Sequence, residues 1–155
     1  MVFTTWTARE AARRVAAREV SVVELTAAAL AQLQQREAAV QAFSYLNEQA
    51  LAQAVVLDQW LAAQPKDVVL PRLFGVPFGL KDNMAVAGFA TACACRLLLN
   101  NQAAQDSAVA AILRQQGVLL GKLNMDELAM GSSTATSCHH PTYNPLDLSR
   151  SPGGS

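Results

Sequence analysis

The sequence predicts an α/β fold, because a strand, a helix and a second strand follow one another in its second half. Residues 74–80 form an apolar segment punctuated by Gly and Pro, and residues 118–121 are continuously apolar, which is typical of buried strands. Between them, residues 106–116 have a helical pattern that Asp106 can cap. This order indicates a βαβ unit, and Pro77 restricts the first strand to pairing on one side.

Helices dominate the segment before that unit. Residues 7–18 are rich in Ala and Arg, both strong helix formers. Ser21 and Glu24 have the spacing of a capping box, so a second helix is expected from residue 22 to about residue 38. The apolar residues of this second helix recur at helical spacing.

A short strand and a third helix complete the helical region. Residues 42–46 alternate and are rich in aromatic side chains, which favours a strand. Asn47 is expected to cap a helix that extends to Trp60. A Pro-containing loop follows, so we divide one domain into a helical region, 1–66, and a strand–loop–helix core, 67–155.

Composition narrows the classes of function. The 155 residues are 52% hydrophobic and only 15% charged, which is typical of a globular domain with a substantial core. Lys+Arg and Asp+Glu number 12 each, and this balance gives no sign of nucleic-acid binding by the chain alone. The sequence shows neither a signal peptide nor an apolar run of membrane length. We therefore expect a cytoplasmic protein whose three cysteines are reduced thiols.

The C-terminal end of the sequence is a Gly/Ser turn, SRSPGGS, that leads into no further element. Domains usually end after a completed element. We therefore expect the chain to be a fragment of a longer protein rather than a natural short chain.

The first candidate catalytic residue is Lys81, which lies at the end of an apolar strand and precedes Asp82. Partial desolvation of a lysine at the mouth of a buried strand would favour the neutral amine, which can act as a general base. The alternative is an ordinary surface Lys–Asp pair, which the spacing alone favours.

Two polar segments are candidates for contact with a substrate. Residues 121–134 are dense in polar side chains directly after a buried strand, and ligands gather at the carboxyl ends of strands. Residues 151–155 form a Gly/Ser loop whose N–H groups could hold an anion, although it lacks the Lys-Ser/Thr ending of a nucleotide-binding P-loop. The alternatives are a helix N-cap for the first segment and a flexible turn for the second.

Cysteine and histidine residues raise another possibility, a non-catalytic interaction or metal-binding module. The spacing of the paired cysteines and adjacent histidines fits common zinc sites poorly, so we interpret them as loop or core residues and expect no metal. The residues concerned are Cys93, Cys95, Cys138, His139 and His140.

Four segments together resemble one family, and they occur in its order: residues 21–30, 75–83 (GVPFGLKDN), 121–134 (GKLNMDELAMGSST) and 144–155 (NPLDLSRSPGGS). On these segments the chain is identified as a member of the amidase signature family. It resembles the A subunits of the aspartyl/glutamyl-tRNA amidotransferases over nearly its whole length. The resemblance implies N-terminal helices followed by part of an α/β/α sandwich with a mixed central sheet, truncated at residue 155.

The resemblance also implies a Ser-Ser-Lys triad. Lys81 matches the catalytic lysine, and Ser155 matches the bridging serine, which in the family adjoins a cis peptide bond. The nucleophilic serine would lie beyond residue 155, so this chain is expected to be inactive alone. Gly131, Ser132 and Ser133 are the implied substrate-binding residues.

The implied reaction is hydrolysis of glutamine, which supplies ammonia for converting Glu-tRNA(Gln) or Asp-tRNA(Asn) to the amidated form. The resemblance implies that ATP and Mg act on the partner B subunit, that a C subunit holds the pair together, and that this chain binds no cofactor itself. No membrane association is expected.

Some positions depart from the family pattern. Ala92 and Cys95 lie where Thr and Ser are common, and Thr136 lies where Asn is usual. The alternative function is therefore a stand-alone amidase-signature amidohydrolase that acts on another small amide.

Overall fold

The computed structural model describes residues 5–155, and the predicted α/β class is confirmed there. Two short 3₁₀ turns, Arg96–Leu98 and Glu127–Ala129, accompany the regular elements. In chain order these elements are α1 (Ala8–Ala16), α2 (Val22–Val40), β1 (Phe43–Leu46), α3 (Ala50–Ala62), β2 (Pro77–Lys81), α4 (Ala108–Arg114) and β3 (Val118–Leu123).

The three strands form one mixed sheet in the order β1-β3-β2. Strand β1 runs antiparallel to β3, with Phe43 opposite Leu123. Strand β2 runs parallel to β3, because the Val118 N–H donates to the Val76 carbonyl at 3.1 Å and the Asp82 N–H donates to the Leu123 carbonyl at 2.9 Å. Among residues 5–155, β2 pairs on one side only, as Pro77 predicts.

The described residues fall into two compact units. Helices α2 and α4 and strands β2 and β3 contribute residues to both units, and all the candidate site residues belong to the second. The division proposed after residue 66 stays a prediction. The first unit comprises the described residues up to Leu33, Asn47–Phe78 and Leu113–Leu120; the second comprises Gln34–Leu46, Gly79–Ile112 and Gly121–Ser155.

Within the first unit, side chains fix the starts of α1 and α2. The Thr7 hydroxyl accepts the Glu10 N–H at 3.2 Å. The Glu24 N–H donates to the Ser21 hydroxyl at 3.0 Å, and the Ser21 N–H donates to the Glu24 carboxylate at 2.9 Å. The predicted capping box is therefore confirmed, and α2 begins at residue 22 as expected.

A second carboxylate supports the same helix start. Asp58 of α3 accepts the N–H groups of Val22 at 2.7 Å and Val23 at 2.9 Å. A negative charge at the N-terminus of α2 also complements the helix dipole. Because Val22 and Val15 of α1 are wholly buried, polar caps and apolar burial stabilise this unit together.

The expected cap of α3 is wrong. The helix begins at Ala50 rather than directly after Asn47. Asn47 is buried: its amide donates to the Leu119 carbonyl at 2.7 Å, and its side-chain oxygen accepts the Gln49 N–H at 3.1 Å. The Asn47 oxygen is thus bonded just before the helix begins, and its amide is bonded to β3, so this side chain does not cap the first turn of α3.

The expected cap of α4, in the second unit, is also wrong. The Asp106 carboxylate accepts the Ala87 N–H at 2.7 Å. Ser107 stands at the helix start instead, and its hydroxyl accepts the Ala110 N–H at 3.4 Å. The helix is accordingly shorter than residues 106–116. Within residues 5–155, no helix combines the length and apolar character needed to cross a membrane.

Candidate active site

The chain has three lysines, and they differ in burial. Lys66 is exposed, and Lys81, at the end of β2, is half-buried. Lys122, inside β3, is wholly buried at 0% exposure. Lys81 is thus partly shielded from water, as expected. The fully buried amine is that of Lys122, which sequence reasoning missed.

Lys122 pairs with Asp82, the residue next to Lys81. Its ammonium lies 3.4 Å from the Asp82 carboxylate and donates to the Ala90 carbonyl at 3.0 Å. Burial lowers the pKa of the Lys122 ammonium from its ordinary value, and the Asp82 charge opposes that effect. The expected alternative, a surface pair of Lys81 with Asp82, is wrong because Asp82 is wholly buried and ion-paired elsewhere.

The other Asp82 oxygen positions a loop with unusual backbone geometry. It accepts the Ala94 N–H at 2.9 Å. Cys93 and Ala94 have φ of 50° and 49°, a left-handed conformation that non-glycine residues adopt only when their surroundings enforce it. The Cys93 carbonyl accepts the Leu128 N–H at 2.9 Å, which connects this loop to the polar segment after β3.

A second buried carboxylate, Asp126, organises that polar segment. Asp126 precedes the turn Glu127–Ala129, but its side chain makes no capping bond there, so the N-cap alternative is wrong. It accepts the Ser155 N–H at 2.8 Å, the Ser133 N–H at 3.2 Å and the Thr136 hydroxyl at 3.0 Å. These bonds, the one from Ser155 first, lower the pKa of the Asp126 carboxyl below its ordinary value.

Two glycines allow the loops to close around Asp126. A Cβ on Gly131 would lie 2.5 Å from the Asp126 carboxyl carbon, and a Cβ on Gly154 would overlap both the carboxylate and the Ser133 nitrogen. Neither position can accept a side chain without moving the loop. The Ser155 hydroxyl donates to the Gly131 carbonyl, so the two polar segments of the sequence meet here.

The structure therefore brings together most of the candidate site residues. Ser155 contacts Gly131, and Ser133 shares the Asp126 carboxylate with Ser155. The Ser132 carbonyl accepts the Ser151 hydroxyl at 3.5 Å. Lys81 belongs to the same compact unit, but no hydrogen bond joins it to Ser155 in the part of the chain described.

The peptide bond that precedes Ser155 is not the cis bond that the resemblance implies beside this serine. All peptide bonds between residues 5 and 155 are trans. Ser155 has a left-handed φ of 60° instead, and in this trans arrangement its N–H reaches the Asp126 carboxylate.

Sequence reasoning missed Asp82, Lys122, Asp126 and Thr136 as site residues. One signal was available for the first pair: a lysine inside the apolar strand VLLGKL needs a buried carboxylate partner. No local pattern identifies which aspartate that partner is, because Asp82 and Lys122 are far apart in sequence.

The cysteine and histidine residues form packing contacts. The Cys138 N–H donates to the Ala94 carbonyl at 2.9 Å, and the His139 ring stands edge-on to Tyr45 with centroids 5.3 Å apart. Burial lowers the pKa of the His139 imidazole. All three cysteines are free thiols, and residues 5–155 hold no group of three or more His, Cys, Asp or Glu side chains placed to bind a metal.

Asp126 should make the stability of the chain depend on acid pH. Because its pKa is lower in the folded than in the unfolded state, its contribution is complete above the ordinary aspartate pKa, about 3.9, and is lost as pH falls through the folded value. The urea midpoint of Asp126→Asn should therefore lie below that of the wild type at pH 7, and the difference should narrow as the pH falls below about 3.9. A difference that stays constant with pH would contradict this.

Comparison with known proteins agrees with the geometry. A family model described as Amidase matches residues 24–155. The chain is 47% identical over 146 residues to the A subunit of glutamyl-tRNA(Gln) amidotransferase from Chlamydia pneumoniae, a match that covers 90% of this chain and 29% of that protein.

Solved structures show the same fold. The crystal structure of the corresponding A subunit from Thermotoga maritima matches with a TM-score of 0.74 and 30% identity, over 99% of this chain and 30% of that one. Native peptide amidase from Stenotrophomonas maltophilia matches with a TM-score of 0.82 and 29% identity, over 99% of this chain and 32% of that one. The chain thus spans less than a third of the length of each of these relatives. The matches confirm the family and the fold predicted from the motifs. This chain belongs to the amidase family.

Proposed function

We propose that this chain forms part of the glutamine-hydrolysing subunit of a tRNA-dependent amidotransferase, with Lys81 and Ser155 as two members of a Ser-Ser-Lys triad. The observation that carries the proposal is the contact between Ser155 and the Gly131–Ser133 segment. The Ser155 hydroxyl donates to the Gly131 carbonyl, and the N–H groups of Ser155 and Ser133 donate to the same Asp126 carboxylate. Two segments far apart in sequence, each resembling a motif of that subunit, meet at one hydroxyl.

The proposed reaction begins with proton transfer along the triad. For this transfer the Ser155 hydroxyl turns from the Gly131 carbonyl to a neutral Lys81 amine, which accepts its proton. Ser155 then takes the proton of a second serine, which we place beyond residue 155. That serine attacks the carboxamide carbon of glutamine. The C–N bond breaks, the nitrogen takes a proton back from the relay and leaves as ammonia, and water then hydrolyses the acyl-enzyme to glutamate.

The ammonia would be used on a partner. We propose that a B subunit, with ATP and Mg, activates Glu-tRNA(Gln) or Asp-tRNA(Asn) and that ammonia forms the new amide there, with a C subunit holding the complex together. This activity belongs to translation and places the protein in the cytoplasm. Residues 1–155 alone are proposed to be inactive, since only two triad members lie within them.

One observation favours a second candidate, a stand-alone amidase. The fold similarity to peptide amidase, at a TM-score of 0.82, is higher than that to the Thermotoga maritima protein, at 0.74. Thr136, which departs from the A-subunit pattern, also donates to the Asp126 carboxylate at 3.0 Å, so a contact of the residue that holds the substrate segment differs from that pattern.

Two chimeras separate these candidates. Residues 1–155 would replace the matching part of the Chlamydia pneumoniae amidotransferase protein in one, and of the Stenotrophomonas maltophilia peptide amidase in the other. We expect glutamine hydrolysis from the first chimera, no peptide amide hydrolysis from the second, and no turnover from residues 1–155 alone. Activity in the second chimera alone would favour the stand-alone amidase, and glutamine hydrolysis unaffected by Ser155→Ala would refute the proposed role of Ser155.

A further inference from the structure

Asp126 is a wholly buried carboxylate whose hydrogen-bond donors in residues 5–155 do not include a basic side chain. Burying a charge is unfavourable unless it is hydrogen-bonded. Among its donors are the Ser133 N–H and the Thr136 hydroxyl, from the segment after β3, and the Ser155 N–H, from the Gly/Ser loop. The carboxylate therefore cross-links the segment after β3 to the Gly/Ser loop at 151–155.

We propose that Asp126 is the positioning residue for Ser155, holding its backbone so that its hydroxyl lies on the Gly131 carbonyl, at the edge of the substrate segment. This inference rests on the proposed function, because it gives Asp126 a role in catalysis only if Ser155 acts in the proton relay. Asp126 touches no reacting atom in this scheme and acts through Ser155.

The backbone of Ser155 explains why a positioning residue is needed. Ser155 has a φ of 60°, which a serine does not favour without external contacts. Its N–H bond to Asp126, at 2.8 Å, is shorter than the bonds from the Thr136 hydroxyl and the Ser133 N–H. Without that acceptor the loop is free to relax to an ordinary backbone conformation, which would move the hydroxyl away from Gly131.

The geometry also predicts which substitution preserves the role. One carboxylate oxygen accepts both N–H groups, so an asparagine oxygen can replace it. The asparagine NH₂ would then face the Thr136 hydroxyl, which can accept a hydrogen bond. Asp126→Asn should therefore keep the loop in place, whereas Asp126→Ala should release it.

Amide hydrogen exchange on the 155-residue chain tests the positioning step by itself. We expect the Ser133 and Ser155 amides to exchange about tenfold faster in Asp126→Ala, which loses both bonds, and at most about threefold faster in Asp126→Asn, which keeps an acceptor but loses the charge. Asp147→Asn is the matched control, because Asp147 is an exposed aspartate whose carboxylate, within residues 5–155, accepts hydrogen bonds from its near neighbours Ser149 and Arg150 alone. Unchanged exchange at Ser155 in Asp126→Ala would overturn the proposal.

A double-mutant cycle in the Chlamydia pneumoniae chimera tests the catalytic consequence. Asp126→Ala should lower kcat by about 100-fold with little effect on KM, because small displacements of reacting groups cost about that much, and Asp126→Asn should restore most of it. In a Ser155→Ala background the same change should cost less than about threefold, since the positioned group is already gone. A purely structural role would cost activity equally in both backgrounds.

The cycle also separates this inference from the proposed function. Full activity in Ser155→Ala would refute the proposed function. Inactive Ser155→Ala combined with an active Asp126→Ala would leave the proposed function intact and overturn the positioning role of Asp126.

Discussion

Replacing Lys81 with alanine is expected to lower kcat for glutamine hydrolysis in the Chlamydia pneumoniae chimera by about 10²–10⁴-fold, the usual contribution of a positioned general base. Lys81 ends strand β2 and is half-buried, so its amine is held by a rigid element and is partly removed from water. Steady-state kinetics with glutamine measure the effect, and KM should change far less than kcat because the amine contacts the relay rather than the substrate.

The exposed lysine and a conservative change provide the controls for this experiment. Lys66→Ala should leave kcat unchanged, since Lys66 is an exposed loop residue. Lys81→Arg should be as inactive as Lys81→Ala, because a guanidinium stays protonated and cannot accept the serine proton. An active Lys81→Arg variant would show that position 81 needs only a positive charge, and the relay would then be wrong.

Much of the fold was predictable because local chemistry decides it. The capping box of Ser21 and Glu24 forms as its spacing predicts, and the apolar strand at 118–121 is buried in the sheet. These features depend on residues within a few positions of one another. The family motifs extended the prediction to Ser155 and the Gly131–Ser133 segment, which the structure brings together.

The errors occur where a side chain has a choice of partners. Asn47 and Asp106 both have the residue type and position of helix caps, but Asn47 binds β3 and Asp106 binds the Ala87 N–H. An isolated helix offers no competitor to its own first-turn N–H groups. In the folded chain, a carbonyl of β3 holds the Asn47 amide and a distant N–H holds the Asp106 oxygen, and no local pattern contains that information.

The candidate site shows the same limit. Asp82 and Asp126 look like surface acids in the sequence, since each stands in a short polar stretch. Their burial follows from which loops fold over them, namely the left-handed loop at Cys93–Ala94 and the Gly/Ser loop that ends at Ser155. Predicting them required knowing the long-range contacts beforehand.

Replacing Lys122 with methionine is expected to destabilise the chain by about 3–5 kcal/mol, the usual effect of removing one partner of a buried ion pair. Methionine fills a similar volume, so the loss comes from the Asp82 carboxylate, which would stay wholly buried without its cation. The carbonyl of Ala90 would also lose its donor at 3.0 Å. Urea unfolding followed by circular dichroism at pH 7 measures the change, and Lys66→Met should show no measurable loss.

The double variant Asp82→Asn/Lys122→Met decides whether the charge is the cause. It removes the buried carboxylate charge together with the cation, while asparagine still offers an oxygen to the Ala94 N–H. The double variant should therefore be more stable than Lys122→Met alone, because an uncompensated buried charge is more unfavourable than a neutral hydrogen-bonded group. If the losses of stability in the single variants Asp82→Asn and Lys122→Met simply add in the double variant, Lys122 contributes through packing and not through its charge. In that case Asp82 would not depend on Lys122 to position the strand end that carries Lys81.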